Sequence, residues 1–354
     1  MSTMNLVVLP GDGIGKEVTR EAMKVLNHIG SKYGIDIRSD EYLAGGASLD
    51  EYDVPVKDEV IDACQQADAV ILGAVGGPKW DQNSKDKRPE VALLRLRKEL
   101  GLFTNLRPVK VYDALIEAST LKLEVIRGVD LLVVRELTGG IYFGQPRLTE
   151  SIDGEERAVD TMEYRTSEIE RITRVAIDAA RKRRKKVTSV DKANILATSQ
   201  LWRKTVSGIA AKNADVEVEN MLVDNCAMQL VRNPRQFDVL VTENMFGDIL
   251  SDLGGAIMGS LGLGGSGNIN PDKEFPSMFE PIHGSAPDIA GKNIANPLGT
   301  VWSAALMLDH LGEAEAAQKI MAAMDKACTD GILPLDLGGN FGTTEITEAI
   351  IERL

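Results

Sequence analysis

Leu6-Val7-Val8-Leu9-Pro10-Gly11-Asp12-Gly13-Ile14-Gly15 is the stretch from which the fold of this 354-residue chain is best inferred. A short apolar run followed by a glycine-rich turn is typical of a buried strand and its exit loop. From Val18 to Ile29 apolar residues recur at steps of three and four, which predicts a helix with one apolar face, and Gly30 is expected to end it. The stretch therefore predicts a strand, a tight turn and a helix.

Similar apolar runs recur along the chain and alternate with segments of helical periodicity. Because continuous apolar strands that alternate with helices are typical of sheets covered on both faces, we predict an α/β fold with a largely parallel sheet. The further predicted strands lie at 69–72, 131–134, 187–190, 216–223 and 239–241.

Residues 144–164 interrupt this alternation with short polar pieces. Asp153-Gly154 is a hairpin-turn signal, so we predict a projecting β arm here. The following helix is expected to begin near Ser167, with Ser167 and Glu170 as a capping box.

The length fits two domains or one large α/β unit. The apolar fraction of 44% and the charged fraction of 26% are ordinary for globular proteins, and no apolar run approaches the roughly 20 residues that cross a bilayer. The first residues lack the pattern of a signal peptide. Cys64, Cys226 and Cys328 form no Cys-x-x-Cys motif, so we expect buried or inert thiols, no structural zinc and a cytoplasmic protein.

The formal net charge of -13 disfavours nonspecific binding to nucleic acid. One basic run, Arg181–Lys186, closes a predicted helix and is expected to be a solvated helix end. Since the chain has only three histidines, proton transfer would have to use Lys, Tyr or Asp.

Asp248 and Asp252 follow the strand at 239–241 and lie one helical turn apart. Two carboxylates on one helix face repel each other unless a cation joins them, and Mg²⁺ or Mn²⁺ would accept such ligands. Taken alone, the pair fits a solvated acidic face better than a metal site.

Several other residues are candidates for substrate binding or catalysis, but none of them is strong evidence when taken alone. Arginines beside apolar segments often bind carboxylates through paired hydrogen bonds, but they are equally often surface residues. Tyr142 lies in a glycine-rich loop and Lys192 directly after a strand, where either a catalytic or a structural role is open. Small residues at 283–288 would let a ligand approach the backbone. The three arginines are Arg97, Arg107 and Arg135.

Five segments in register carry a family resemblance: Gly11–Gly15, Asn105–Pro108, Asp191–Asn194, Asn244–Asp252 and His283–Asp288. In this order they resemble the metal-dependent β-hydroxyacid oxidative decarboxylases, a family that includes isocitrate, isopropylmalate, homoisocitrate and tartrate dehydrogenases. The resemblance covers nearly the whole chain and implies a fold other than the Rossmann fold, in which two α/β domains share a large mixed sheet.

The resemblance assigns chemical roles to single residues. It implies that Arg97, Arg107 and Arg135 bind the substrate carboxylates and that Asp224, Asp248 and Asp252 surround Mg²⁺ or Mn²⁺; a monovalent cation such as K⁺ is compatible. Lys192, with Asp224 as relay, would be the base for the substrate hydroxyl. Tyr142 would protonate the enol carbon after loss of CO₂. The remaining implied substrate contacts are Glu90, Leu93, Leu94 and Ile195.

An NAD site is implied as well. A carboxylate at Asp288 favours free ribose hydroxyls over a 2′-phosphate. The implied cofactor residues are Ile14, Glu90, His283, Gly284, Ser285, Ala286, Asp288, Ile289, Asn296 and Asp336.

Within the family, 73–80, 136–144 and 191–196 are most similar to the isopropylmalate branch, and leucines suit an isopropyl group better than a third carboxylate. Residues 252–255, 275–280 and 293–296 are closer to the tartrate and D-malate branch, which remains the alternative. A non-catalytic regulatory subunit is a more distant one. Residues 263–268 are expected to form a loop of unusual composition.

The resemblance finally implies a discontinuous cofactor domain, residues 1–102 with 260–354, around a central domain at 103–259. The central domain would form a homodimer, and Lys192 and Asp224 would enter the partner's active site.

Overall fold

The computed structural model describes residues 2–354 and shows an α/β protein, as predicted. Its strands are β1 (Ser2–Gly11), β2 (Ile35–Glu41), β3 (Ala69–Ala74), β4 (Thr104–Lys110), β5 (Asp130–Glu136), β6 (Leu148–Ile152), β7 (Glu155–Val159), β8 (Lys186–Asp191), β9 (Glu217–Leu222), β10 (Val239–Thr242), β11 (Gly265–Ile269) and β12 (Ser277–Pro281). Its helices are α1 (Gly15–Tyr33), α2 (Gly46–Tyr52), α3 (Asp58–Gln66), α4 (Glu90–Glu99), α5 (Leu123–Ile126), α6 (Thr166–Arg181), α7 (Ala197–Ala210), α8 (Val223–Arg232), α9 (Asn244–Met258), α10 (Leu298–His310), α11 (Ala314–Thr329) and α12 (Thr343–Ile351).

The chain divides into two compact units. The first contains residues 1–102, 111–123 and 255–354, and the second contains 103–110 and 124–254. The roles of the two domains and the boundaries inferred from the resemblance stay predictions.

The first unit has the strand order β2-β1-β3-β12-β11. All neighbours are parallel except β11 and β12, which are antiparallel. Residues 263–268, expected to be a loop, contribute most of β11, so that prediction was wrong. The buried strand depends on glycine: a Cβ at Gly265 would come within 2.9 Å of Trp302 Cβ of α10.

The second unit has the strand order β4-β5-β10-β8-β9. Here β4 and β5 are antiparallel and the other neighbours parallel, so both units carry the mixed pairing that the family resemblance implied. Helix α6 packs Ile169, Ile172 and Ile177 into a core with Val187 and Val239 of the sheet. That core fixes the strands whose ends carry the candidate site.

The opening strand, turn and helix are confirmed, but α1 does not end at Gly30. It continues to Tyr33, and Gly34 closes it in the left-handed conformation with φ 71°. Gly30 lies inside the helix because β2 returns close to it: a Cβ there would be 2.8 Å from the carbonyl oxygen of Ile35.

The predicted arm is the antiparallel pair β6 and β7. Asp153 and Gly154 form its turn with positive φ angles of 51° and 85°. The capping prediction for the next helix was wrong. Arg165 is the N-cap, and its backbone N–H donates to Glu168 Oε2 over 2.7 Å, while Glu170 pairs with Arg174.

The basic run Arg181–Lys186 closes α6 and four of its six residues are exposed, as predicted, but two of its arginines also form ion pairs. Arg181 Nε donates to Asp215 Oδ2 over 2.8 Å, and Arg183 Nε donates to Asp238 Oδ1 over 2.9 Å. Lys186 Nζ lies 3.2 Å from Glu219 Oε1, so Arg181, Arg183 and Lys186 all pair with carboxylates of the same unit.

The three cysteines are free and buried, as predicted. Burial raises the pKa of each thiol to about 12, so none forms a reactive thiolate near neutral pH. No helix within residues 2–354 has the length and apolar character needed to cross a bilayer.

Candidate active site

Helix α9 presents the predicted carboxylate pair to an arginine. Asp248 and Asp252 lie one turn apart, and Arg107 Nη1 is 3.6 Å from Asp248 Oδ1 and 3.3 Å from Asp252 Oδ1. The same nitrogen donates to Ser251 Oγ over 2.7 Å. Because Arg107 is almost fully buried in β4, its charge is held against this face of α9.

Asp248 is also the meeting point of Arg135 and Tyr142. Arg135, buried at the end of β5, donates from Nη1 to Asp248 Oδ1. Tyr142 Oη donates to Asp248 Oδ2 over 3.0 Å, and the Arg135 guanidinium lies 5.8 Å from the centre of the tyrosine ring. One carboxylate thus joins a predicted substrate-binding cation and the predicted proton donor.

The two carboxylates differ in electrostatics. Burial acts to raise the pKa of Asp248, but Arg135 and Arg107 outweigh it, and the pKa is lowered. Burial raises the pKa of Asp252, and repulsion by Asp248 adds to that effect although Arg107 opposes it. Burial and then Asp248 raise the pKa of Tyr142, which keeps the phenol protonated.

The donor chemistry of this pair suits a divalent cation. Hard cations prefer carboxylate oxygens, and the Asp252 side chain is 57% exposed, so it can take a further ligand. Burial is the main cause of its raised pKa, with repulsion by Asp248 as a smaller one, and a bound cation would favour the charged carboxylate. Across residues 2–354, no three His, Cys, Asp or Glu side chains gather as a metal-binding group. The pair fits as part of a metal site.

Lys192 and Asp224 form a second group. Lys192 follows β8, Asp224 lies in the first turn of α8, and Lys192 Nζ donates to Asp224 Oδ1 over 2.9 Å. This hydrogen bond lowers the pKa of Asp224. Buried Asp191 fixes the turn, because it accepts from the Ala193 backbone N–H at 2.9 Å and from Arg203 at 2.8 Å. The predicted base and its relay are therefore in direct contact.

In the first unit, the glycine turn meets the segment 283–289. Ile14 N donates to the carbonyl oxygen of Ser285 over 2.8 Å, and Ile14 packs in an apolar cluster with Ala286 and Ile289. Gly13 has φ 53°, and a Cβ there would lie 2.0 Å from the Ser285 oxygen. The glycine is needed for this close approach. Four of the predicted cofactor residues, Ile14, Ser285, Ala286 and Ile289, are brought together as a result.

Asp336 and Asn296, two more predicted cofactor residues, are hydrogen bonded to each other. Asp336 accepts from Asn296 Nδ2 over 3.0 Å and from Ser260 Oγ. His283 Nδ1 is 2.9 Å from the carbonyl oxygen of Gly284, and burial lowers the pKa of His283, so the imidazole is neutral at pH 7. Asp288 is exposed and available to a ligand.

Helix α4 carries Arg97 and the residues predicted to contact the substrate side chain. Glu90, Leu93, Leu94 and Arg97 recur at helical spacing, so they share one face. Glu90 is exposed and both leucines are half-buried, whereas Arg97 is buried. In the second unit, Ile195 is 69% exposed.

Sequence reasoning missed Glu280, which binds Arg97. Its Oε1 accepts from Arg97 Nη2 over 2.9 Å and from Asn268 Nδ2 over 2.7 Å. Asp12 was also missed: its carboxylate accepts three backbone N–H groups, from Gly46, Ala47 and Gly76, each at 2.8 Å. An acidic residue between two glycines was the available signal for Asp12. For Glu280 there was none, because its partners are distant in sequence.

The chain matches the family model described as isocitrate/isopropylmalate dehydrogenase over residues 5–350. Two curated relatives are named 3-isopropylmalate dehydrogenase. That of Anaeromyxobacter dehalogenans is 52% identical, with 99% of each chain covered, and that of Aquifex aeolicus is 49% identical, with 100% of this chain and 98% of the relative covered.

Two solved structures that this chain resembles are also those of dehydrogenases. The isocitrate dehydrogenase of Methylococcus capsulatus has a TM-score of 0.88 at 36% identity, with 99% of each chain covered. The β-decarboxylating dehydrogenase of Thermococcus kodakarensis has a TM-score of 0.81 at 36% identity, covering 99% of this chain and 96% of that one. The chain belongs to the isocitrate/isopropylmalate dehydrogenase family.

Proposed function

We propose that this chain catalyses the NAD-dependent oxidative decarboxylation of (2R,3S)-3-isopropylmalate to 4-methyl-2-oxopentanoate in leucine biosynthesis. The observation that carries the proposal is sequence identity. Relatives named 3-isopropylmalate dehydrogenase are 50% to 52% identical to this chain over 99% or more of its length. The convergence of Arg107, Arg135 and Tyr142 on the carboxylates of α9 supports the same reaction class.

The chain's own residues divide the reaction between them. Arg107 and Arg135, buried and rigidly held, would bind the substrate carboxylates. Lys192 would accept the proton of the substrate hydroxyl as hydride passes to the nicotinamide, with Asp224 relaying that proton. After CO₂ departs, Tyr142 would donate its proton to the enol carbon.

Asp248 and Asp252, with Asp224, would hold Mg²⁺ or Mn²⁺. When bound, such an ion lowers the pKa of a coordinated hydroxyl and stabilises negative charge on the neighbouring oxygens. The first unit would bind NAD through residues around Ile14, 283–289, Asn296 and Asp336. The Asp288 carboxylate would accept hydrogen bonds from the ribose hydroxyls and would repel a 2′-phosphate, which favours NAD over NADP.

The substrate preference would follow from α4. Leu93 and Leu94, both half-buried, offer apolar surface one turn before Arg97. An isopropyl group would replace water on this surface, whereas a third carboxylate would lose hydration without a partner.

We expect kcat/KM for 3-isopropylmalate to exceed that for D-malate by at least about 10-fold with NAD and Mn²⁺, since D-malate lacks the isopropyl group. Initial rates of NADH formation measure both values. Leu94→Ala should narrow the ratio, and Leu43→Ala, a matched change at an exposed leucine of the same unit, should not. A ratio of one or below would favour the D-malate alternative.

We further propose that the chain works as a homodimer in the cytoplasm, with Lys192 and Asp224 serving the partner's site. Apolar side chains are exposed on α8 and α9 of the second unit: Met228 at 46%, Val231 at 40% and Ile249 at 60%. Large exposed apolar side chains of this kind are typical of interaction surfaces. The free cysteines suit a reducing compartment.

Mixing two variants with strongly reduced activity tests this sharing. If Lys192 acts on the partner's site, one site of a Lys192→Met/Tyr142→Phe heterodimer is intact, and random exchange should restore about one quarter of wild-type activity. NADH formation after subunit exchange measures it. Mixing Lys192→Met with Asp224→Asn is the control, since every site then keeps one defect. Equal inactivity of both mixtures, with exchange confirmed by mass spectrometry, would place Lys192 in its own chain's site.

A further inference from the structure

The first turn of α9 surrounds Arg135 on several sides. Asn244 Oδ1 accepts from Arg135 Nε over 2.9 Å, and Asp248, one turn later, accepts from Nη1. Gly247 lies against the aliphatic stem, where a Cβ would come within 2.6 Å of Arg135 Cγ. The plane of the guanidinium is therefore set by this turn.

The same Asn244 side chain reaches the loop that leads to Tyr142. Its Nδ2 donates to the carbonyl oxygen of Leu137 over 3.1 Å and to that of Gly139 over 3.0 Å. Asn244 is fully buried, and its backbone N–H donates to Tyr164 Oη over 2.9 Å. One amide thus connects the end of β5, the loop at 137–139 and the start of α9.

Only a primary amide supplies what this position requires. Asn244 offers one acceptor to a cation and two donors to two carbonyl oxygens, all away from water. An aspartate here would turn a lone pair towards both carbonyls. An alanine would leave those carbonyls unpaired in a buried place, which is costly.

We propose that Asn244 is a positioning residue that fixes together the Arg135 guanidinium and the loop carrying Tyr142. The inference rests on the proposed function, in which Arg135 binds a substrate carboxylate and Tyr142 donates a proton. Asn244 itself touches neither substrate nor cofactor. Because Asn244 bonds both groups, the position of the Arg135 guanidinium is coupled to the position of the loop that carries Tyr142.

The first test is Asn244→Asp, compared with Asn213→Asp. Asn213 is a matched control: it also accepts from an arginine, Arg181, and donates to a backbone carbonyl, that of Ile209, but on the surface. We expect Asn244→Asp to lower kcat/KM at least 100-fold, with a higher KM for the hydroxy acid and a lower kcat, while the Kd for NADH stays within threefold. Asn213→Asp should match wild type. Wild-type kinetics in the Asn244 variant would overturn the proposal.

A double-mutant cycle separates positioning from general destabilisation. If Asn244→Ser acts through Arg135, its effect on substrate KM should largely disappear in an Arg135→Lys background, and its effect on kcat should shrink in a Tyr142→Phe background. Additive effects in both cycles would overturn the proposal. Asn244→Ser also serves if Asn244→Asp fails to fold. The cycle is measured with whichever 2-hydroxy acid the wild-type enzyme oxidises. If that acid is not 3-isopropylmalate, the proposed substrate is wrong but the role of Asn244 is still tested.

Discussion

Lys192→Met should lower kcat by about 10³-fold while leaving the Kd for NADH nearly unchanged, because a positioned general base contributes factors of this size. Methionine keeps much of the length and volume of lysine but accepts no proton at the substrate hydroxyl. The ion pair with Asp224, 2.9 Å long, is lost as well. Since Lys192 lies at the end of β8 in a partly exposed turn, the fold should survive the change.

Two measurements check this expectation: single-turnover NADH formation, and fluorescence titration with NADH. Lys186→Met is the control variant, because Lys186 starts the same strand and also pairs with a carboxylate, that of Glu219, at 3.2 Å. The control should keep wild-type turnover. If Lys192→Met retains most of its turnover, another group removes the hydroxyl proton.

Part of this arrangement could be predicted from the sequence, because apolar periodicity is a local property. The strands around Val70, Val133 and Val239 are continuous apolar runs, and the structure buries all of their apolar residues except Leu132, which is partly buried. The four-residue spacing of Asp248 and Asp252 likewise determines that both lie on one face once α9 is a helix.

Elements without that local signal were missed. β2 carries polar and charged residues along most of its length, so its sequence resembles a solvated segment. β11 is rich in glycine, which has a low strand propensity, and it is a strand because α10 packs closely against it. β4 contains Pro108, which weakens a strand prediction. Tertiary packing decides all three.

The contact partners of the candidate site residues could not be predicted from the sequence either. The spacing of Asp248 and Asp252 predicts repulsion between like charges, but it does not reveal that Arg107 and Arg135 lie against them. Nor does it reveal that Asn244 and Ser251, within the same segment, hold these arginines. Such contacts join residues more than 100 positions apart, so only the folded chain shows them.

Asp252→Asn should raise the Kd for Mn²⁺ by about 100-fold or more, in line with the loss expected when a metal site loses a charged ligand. The side chain is more than half exposed and its ion pair with Arg107 is 3.3 Å long, so the substitution leaves the packing of α9 intact. The asparagine oxygen can still coordinate, but the negative charge is gone. Asp248 is a poorer target, because Arg135 and Tyr142 both depend on it.

Electron paramagnetic resonance of free Mn²⁺ gives this Kd without requiring turnover. Asp215→Asn is the matched control: it removes the same charge from an aspartate that pairs with an arginine, Arg181, at the end of α6. The control should bind Mn²⁺ like wild type, and the Asp252 variant should recover part of its activity at high Mn²⁺ because the defect is in binding. An unchanged Kd in Asp252→Asn would assign the α9 carboxylates to holding Arg107 and Arg135 instead of a metal.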